Sequence, residues 1–413
     1  MKSGLLGRKL GHSYSPQIHE YLGTYSYDLF EKEPEEIEFF VRHGDFTGIN
    51  VTIPYKKDVI PFLDELSSKA KKMESVNTVV RRTDGTLFGH NTDYFGFHSM
   101  VLRSGIAVTG KKVLVLGTGG TSNTAVKVLE DLGAHVITIS RSGENNYENL
   151  HLHKDASVIV NTTPVGMYPH TGVSPVSLTE FPELEGVLDV IYNPSRTKLL
   201  LDAEALGLPH EHGLWMLVAQ ATEAAEYFGG KSLPDAIIGS VYQKMSAKMQ
   251  NIVLIGMPGC GKSTIAAMLA NALGRTVVDA DEKIIELAGK TIPEIFAEDG
   301  EAVFREWETR VLTELGKQSQ LIIATGGGCV TQPRNYSLLH QNGTIFWLKR
   351  DLDQLPTEGR PLSQTQKLID MYAIRKPMYE AFSDYSIDNN GNSQKTLQQI
   401  LTILEGKHEN SGD

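Results

Sequence analysis

Short, β-branched apolar runs alternate along this chain with longer stretches in which apolar residues recur every three or four positions. The runs include KKVLVLG (111–117), AHVITIS (134–140), ASVIVNT (156–162), NIVLIG (251–256), LIIATGG (321–327) and TIFWLK (344–349). Runs of this length without polar alternation predict strands buried on both faces, as parallel strands are, and the periodic stretches between them predict helices. The pattern is that of an α/β protein. Two strands run into glycine-rich turns that open helices, at Gly117 and at Gly256, and each predicts its own nucleotide-binding sheet. A helix-like run ends near Lys248 and the strand NIVLIG begins at about Asn251, so the boundary between the two halves is short.

Length and charge narrow the reading. A chain of 413 residues exceeds one ordinary core and predicts two or three domains. It is 40% hydrophobic and 22% charged, as soluble globular proteins are. A formal net charge of -11 argues against nucleic acid or an anionic membrane as partner, while leaving room for a local basic pocket. Two cysteines, Cys260 and Cys329, build neither a disulfide framework nor a four-thiolate metal site, which fits a reducing cytoplasm. The opening MKSGLLGRKLGHSYSP lacks the apolar run of a signal peptide, and no stretch reaches the length of a bilayer-spanning helix.

The chemistry of the C-terminal part starts at GMPGCGKS (256–263), which matches the phosphate-binding pattern G-x-x-x-x-G-K-[ST] between a strand and the helix-like TIAAMLANALG. Glycines let backbone N–H groups turn inward around phosphate oxygens, and a helix N-terminus adds partial positive charge. Gly259, Cys260, Gly261 and Thr264 belong to this loop and its helix start, Lys262 reaches the β- and γ-phosphates, and Ser263 offers a hydroxyl to Mg²⁺. VVDADE (277–282) ends a strand with Asp279 and Asp281. One carboxylate can hold Mg²⁺ and the other can accept a substrate proton, or the pair is a solvated helix cap. GEAVFREWE (300–308) sets Arg305 in an acidic helix, as a surface ion pair or as a bidentate carboxylate ligand. The glycines of TGGGCV (325–330) allow a ligand ring to approach the backbone.

In the N-terminal part, VLVLGTGGTSNTA (113–125) is a strand, a glycine turn and a helix start. Gly117, Gly119 and Gly120 are present, with Ser122 in place of the third fingerprint glycine. The next strand ends in Ser140, Arg141 and Ser142, and a basic residue there favours the 2′-phosphate of NADP. Upstream, HSYSP (12–16) offers Ser13 and Ser15 on either side of Tyr14, as hydroxyl ligands or as a helix cap. GINVTIPYK (48–56) places Asn50, Thr52 and Lys56 along a strand predicted to stop at Pro54. SVNTV (75–79) and GHNTDYFG (89–96) add Asn77 and Asp93. Lys56 also admits a structural reading, as one half of a surface salt bridge.

These blocks, in this order, resemble two families. GMPGCGKST, the Asp279–Asp281 pair, Phe304–Arg305, TGGG, RPL at Arg360–Leu362 and RKPMYEAFSDYSID around Arg375 are similar to shikimate kinase over nearly all of 250–413. The resemblance implies that Asp281, Arg305, Gly327 and Arg375 hold shikimate, that Asp281 orients its 3-hydroxyl, and that Arg360 sits on a lid over ATP. DLDQLPTEGRPL (351–362) is shorter than the usual lid and lacks the family's earlier lid arginine. The HSYSP, NVTIPYK, VNT and NTD blocks, followed by NTTPVGMYP (161–169), DVIYNPSRTKLL (189–200) and GLWMLVAQA (213–221), resemble shikimate dehydrogenase over about 1–245. That resemblance implies Ser13, Ser15, Thr52, Asn77, Asp93, Tyr192 and Gln220 as substrate ligands, and Lys56 with Asp93 as the acid/base pair. Gly117, Thr118, Gly119, Gly120, Thr121, Arg141 and Ser142 would bind NADP, with Val190 and Gly213 along the nicotinamide. GENNYENL (143–150) follows Arg141 where the family often has a second basic residue.

The expected architecture is a shikimate dehydrogenase-like α/β substrate domain (about 1–104 and 214–248) with a Rossmann NADP domain (about 105–213). A P-loop kinase α/β domain with a parallel sheet (249–413) follows. The expected activity is reduction of 3-dehydroshikimate to shikimate with NADPH, then phosphorylation of shikimate with ATP and Mg²⁺. The partners are these small molecules, in the cytoplasm, with a homo-oligomer left open. A quinate/shikimate dehydrogenase using NAD, and a regulatory binding protein without catalysis, are the alternatives. Met249 stands where a free-standing kinase would start, so the chain reads as a fusion: 1–248 and 249–413, expressed separately, should each give a folded piece by circular dichroism and thermal melting, and failure of either to fold alone would refute it.

Overall fold

A computed structural model describes residues 2–11, 13–23, 25–355 and 366–406. Its contacts divide the chain into two compact units. One comprises Met1–Val165, Ser174–Tyr192 and Asp202–Met245, and the other Gly166–Val173, Asn193–Leu201 and Ser246–Asp413. Among the described residues no helix is long and apolar enough to cross a membrane.

The first unit holds two sheets. In the N-terminal sheet the strands are β1 (Lys2–Gly7), β2 (Ser26–Glu31), β3 (Gly48–Val51), β4 (Glu65–Leu66), β5 (Thr78–Arg81) and β6 (Leu87–His90), in the order β2-β1-β3-β5-β6-β4. β1 pairs in parallel with β2 and β3, while β5 runs antiparallel to both β3 and β6. The strand expected to run to Pro54 stops at Val51. Thr52 gives its N–H to the Leu6 carbonyl (2.9 Å), and Tyr55 N–H returns to the Thr52 carbonyl (3.0 Å). Proline has no N–H to continue a ladder, so Lys56 leaves the sheet on a turn.

The second sheet is all parallel: β7 (Lys112–Leu116), β8 (His135–Ile139), β9 (Val158–Asn161), β10 (Gly186–Asp189) and β11 (His210–His212), in the order β11-β10-β9-β7-β8. Val113, Leu114, Val115 and Leu116 are fully buried, which is why this run shows no polar alternation. The helices Asp93–Ser104 and Leu214–Gly229 pack on each other, and Gly96 permits the close approach: a Cβ there would stand 2.7 Å from the Met216 carbonyl oxygen.

The other unit is built on β12 (Asn251–Ile255), β13 (Val277–Asp279), β14 (Ile322–Ala324), β15 (Gly343–Lys349) and β16 (Tyr385–Asp388), all parallel, in the order β13-β14-β12-β15-β16. β12 is buried along its whole length and forms the core with Ile323, Phe346 and Trp347. The helices Lys262–Leu273 and Glu301–Lys317 cover this core.

Within Glu301–Lys317, Gly316 lies against the helix Arg334–His340: a Cβ there would collide with the Leu338 carbonyl oxygen. Alanine ordinarily favours a helix interior over glycine by about 1 kcal/mol. Here the contact reverses the sign, and Gly316→Ala should destabilise this unit by about 1–3 kcal/mol in urea unfolding; a stabilised variant would show that the two helices part without cost.

Candidate active sites

β12 delivers the chain into the glycine loop. Gly256 (φ 144°) and Gly261 (φ 99°) hold left-handed backbone that side-chain-bearing residues avoid, and a Cβ on Gly256 would sit 2.6 Å from the Leu348 carbonyl oxygen. The helix Lys262–Leu273 starts there, its first N–H groups lacking intrahelical acceptors. Lys262 Nζ donates to the carbonyls of Gly256 (2.9 Å) and Met257 (3.1 Å). Ser263 Oγ donates to Asp279 Oδ2 (3.1 Å), while Asp279 Oδ1 accepts the Asp281 N–H (3.0 Å). Asp279 is therefore both a helix cap and a partner of the P-loop serine. Two hard oxygen donors so close together suit a small divalent cation.

A cleft of about 760 Å³ opens above this loop. Gly259, Gly261, Lys262, Ser263, Thr264, Asp279, Asp281, Arg305, Gly327 and Arg375 all line it. Cys260 does not: its side chain is fully buried and its N–H turns inward to the Met257 carbonyl (3.2 Å). Cys329 is likewise fully buried, and burial pushes its thiol up to about 12. Arg360 lies outside the described residues.

Arg305 is 5% exposed, so it is no surface ion pair. Its fork donates from Nη1 to Glu308 Oε2 (2.9 Å) and from Nη2 to Glu301 Oε1 (3.1 Å). Arg375 Nη1 (3.1 Å) and the Tyr379 hydroxyl (2.5 Å) both donate to the Gly327 carbonyl. The triple glycine makes room for the protein's own groups. A Cβ at Gly326 would meet Asp281 Oδ1 (2.6 Å) and Glu308 Oε1 (2.8 Å), and one at Gly328 would run into both Nη atoms of Arg305.

Glu308 escaped the sequence reading, although it lies three residues from Arg305 on the same helical face. It is fully buried, and Oε1 has no hydrogen-bond partner among the described residues. Burial, reinforced by the Asp281 carboxylate and opposed by the Arg305 guanidinium, pushes its carboxyl up to about 7. Arg350, Phe296 and Phe304 also line the cleft without having been singled out for it; the two aromatic rings pack at 4.8 Å.

In the first unit, Lys56 Nζ lies 2.5 Å from Asp93 Oδ2, with side-chain exposures of 25% and 16%. By contrast, the surface pair Lys2–Asp45 is 48% and 92% exposed. Asn77 Nδ2 donates to Asp93 Oδ1 (2.9 Å), and Asn77 Oδ1 accepts the Thr92 N–H (2.8 Å). Thr92 Oγ1 in turn donates to Gln220 Oε1 (3.2 Å). Asp93 is the first residue of its helix, where the dipole favours a carboxylate. Three blocks far apart in sequence thus meet at one carboxylate. Behind them the Tyr27 hydroxyl donates to Asn50 Oδ1 (2.7 Å), and Asn50 Nδ2 reaches Thr78 Oγ1 (3.2 Å).

Ser13 and Ser15 frame the start of the helix Ser15–Leu22, the Ser15 N–H donating to Ser13 Oγ (3.2 Å). The intervening Tyr14 meets Tyr192 edge to face at 6.1 Å, which places Tyr192 beside the serine loop. Burial, with Tyr14 alongside, raises the Tyr192 phenol. Thr52 stands at the carboxyl end of β1.

At the end of β7, Gly117 has φ 114°, and the helix Gly120–Asp131 opens with Thr118, Gly119 and Gly120 exposed and Thr121 half-buried. No atom lies within 4 Å of where a Cβ on Gly119 or Gly120 would stand, an open face suited to a pyrophosphate. Ser122, in the place of the third glycine, donates from Oγ to the Gly117 carbonyl (2.6 Å) and so closes the turn itself. Arg141 and Ser142 are exposed just beyond β8. A Cβ on Gly213 would collide with the Val190 carbonyl oxygen, so these two residues are adjacent and position 213 tolerates no side chain.

Comparison with known proteins finds relatives for both parts of the chain. The family described as shikimate dehydrogenase substrate binding domain matches residues 5–79, and the family described as shikimate kinase matches residues 258–405. A shikimate dehydrogenase (NADP(+)) of Clostridium perfringens is 35% identical over 267 residues, covering 59% of this chain and 98% of that protein. The crystal structure of shikimate dehydrogenase 1 from Peptoclostridium difficile superposes with a TM-score of 0.54 at 36% identity, over 59% of this chain and 97% of the other. That of the Thermus thermophilus shikimate 5-dehydrogenase with NADP(H) and shikimate does so at 0.53 and 28% identity, over 59% and 99%. The chain belongs, in its N-terminal part, to the shikimate dehydrogenase family and carries a shikimate kinase domain behind it.

Proposed function

We propose that the chain catalyses two consecutive steps, reducing 3-dehydroshikimate to shikimate with NADPH and then phosphorylating shikimate to shikimate 3-phosphate with ATP. The observation that carries this reading is the kinase cleft: a phosphate-binding loop and an acceptor end holding Asp281, Arg305 and Arg375 line one cavity. The acceptor it fits, a carboxylate-bearing polyol, is the product of the reductase encoded ahead of it. Dehydrogenase functions are assigned to 1–248, with the substrate part at about 1–104 and 214–248 and the NADP part at about 105–213, and kinase functions to 249–413.

Reducing a ketone puts hydride on carbon and a proton on oxygen, and NADPH, when bound, supplies the hydride. Lys56, held against Asp93, gives the proton and offsets negative charge growing on the oxygen. Asn77 keeps Asp93 turned toward Lys56, and Ser13, Ser15, Thr52, Tyr192 and Gln220 hold the hydroxyls and carboxylate. Val190 and the adjacent Gly213, which has no room for a side chain, would line the nicotinamide, and Arg141 favours the 2′-phosphate. In the kinase, loop N–H groups and the helix N-terminus would hold the phosphates, Ser263 and Asp279 would hold Mg²⁺, which would offset phosphate charge, and Lys262, now on its own loop carbonyls, would reach the β- and γ-phosphates. Asp281 takes the proton of the attacking hydroxyl, while Arg305 and Arg375 grip the substrate carboxylate.

A single preparation assayed for both half-reactions tests the whole reading. A preference for quinate and NAD would overturn the first assignment, and turnover in neither assay would favour a regulatory protein. Lys56→Ala should lower dehydrogenase kcat by roughly 10²- to 10⁴-fold and spare the kinase. Lys262→Ala should lower kinase kcat by roughly 10²- to 10³-fold and spare the dehydrogenase. Loss of both activities in either variant would show that the halves depend on each other.

Glu308 makes the folding free energy depend on pH. Its ordinary value is 4.5 and its folded value about 7, so between them the folded state keeps a proton that the unfolded state has lost. Wild-type stability therefore falls as pH rises through that window, whereas glutamine at 308 has nothing to ionise. Relative to wild type, Glu308→Gln should gain up to about 3 kcal/mol between pH 4.5 and 7 in paired urea titrations. A stability difference that stays flat with pH would show that Glu308 is ionised throughout, paired to Arg305.

A further inference from the structure

The nucleotide end of the kinase cleft contains a cation that neither the glycine loop nor the acceptor end accounts for. Arg350 is the first residue after β15 and lines the cleft with Gly259, Gly261 and Lys262. The backbone on either side of it is pinned to one loop. The Lys349 carbonyl accepts the Asn389 N–H (2.8 Å), and the Asp351 N–H donates to Asn390 Oδ1 (2.6 Å). Asn389 is itself 4% exposed, accepts the Thr396 hydroxyl on Oδ1 (2.8 Å) and donates from Nδ2 to the Cys260 carbonyl (2.6 Å). One asparagine thereby ties the end of β15 to the phosphate-binding loop.

From this clamp the Arg350 side chain reaches toward the loop. Its Nη1 lies 3.9 Å from where a Cβ on Gly261 would stand, and Gly261 immediately precedes the helix whose N-terminus faces the cleft. Its Nε is buried and has no hydrogen-bond partner among the described residues. Keeping a guanidinium N–H from both water and an acceptor is unfavourable, and the penalty disappears when an anion arrives. Of the carboxylates that line the cleft, Asp279 is bonded to Ser263 and the Asp281 N–H, and Glu308 Oε2 to Arg305. A phosphate oxygen cradled by the loop N–H groups would lie within reach of the fork, and guanidinium groups grip phosphates bidentately.

The geometry points to Arg350 as a phosphate-binding residue of the kinase, a fixed guanidinium that holds the nucleotide's phosphate chain from the strand end. This rests on the kinase reading above and deepens its nucleotide end.

The test titrates magnesium ATP, magnesium ADP and tripolyphosphate into the full chain and into Arg350→Gln by calorimetry, with shikimate KM measured alongside. All three dissociation constants should rise by roughly 10- to 100-fold, the value of a charged hydrogen-bonded contact. Shikimate KM should change by less than about twofold, since the contact is not with the acceptor. Arg350→Lys, which keeps the charge and loses the fork, should fall between; it also carries the comparison if the glutamine variant melts differently from wild type. Unchanged affinity for ATP and tripolyphosphate in a folded variant overturns the proposal. So does weakened ATP binding with tripolyphosphate unaffected, which would put the contact on the adenine, or a loss confined to shikimate. A wild-type chain that binds no ATP would instead refute the kinase reading, so the two failures are distinct.

Discussion

An all-parallel sheet releases its strands at one edge, and at the strand where the order reverses the chain must turn within a few residues into a helix whose first N–H groups lack acceptors. This chain meets that constraint twice, after β7 and after β12. In both places a buried apolar strand ends in a glycine held at positive φ, Gly117 and Gly256, and the following helix begins within about six residues. The unpaired N–H groups and the helix dipole make each turn an anion site before any catalytic side chain is considered. The details differ. Ser122 closes the dinucleotide turn with its own hydroxyl, whereas Lys262 folds over the P-loop onto the Gly256 and Met257 carbonyls.

What makes the second anion site a kinase is packing at its far end. Arg305, Glu308 and Asp281 converge on the three glycines after β14 so tightly that no Cβ fits at Gly326 or Gly328. A buried cation beside two carboxylates is stable only with good geometry, and it comes here from spacing along one helix and from the missing side chains. Arg375 and Tyr379 fix the Gly327 carbonyl from another helix, so two helices hold this end of the cleft.

In the dehydrogenase, the pair Lys56–Asp93 depends on a strand that stops early. The turn after Val51 swings Lys56 out of the sheet, and the helix that starts at Asp93 brings its carboxylate to meet the ammonium. Asn77, between them in sequence, holds both Asp93 and Thr92. Gln220 joins through Thr92 because Gly96 lets its helix pack closely. Residues more than a hundred positions apart thus share one hydrogen-bonded network.

Much of this was legible in the sequence because the signals are local. Unbroken apolar runs marked the parallel strands, and the six runs singled out all contain strands. The glycine loop, the Asp279–Asp281 pair and the NTD block are contiguous motifs whose geometry is carried by neighbouring residues. Tertiary structure decided what sequence spacing does not encode. The strand at 48–56 stopped at Val51, Cys260 turned its N–H inward, and Arg305 became a buried fork rather than a surface pair. Glu308 and Arg350 entered the kinase cleft only through folding. The physical reason is that burial and long-range hydrogen bonds set the charge and direction of a side chain, and both depend on which distant segments the fold brings against it.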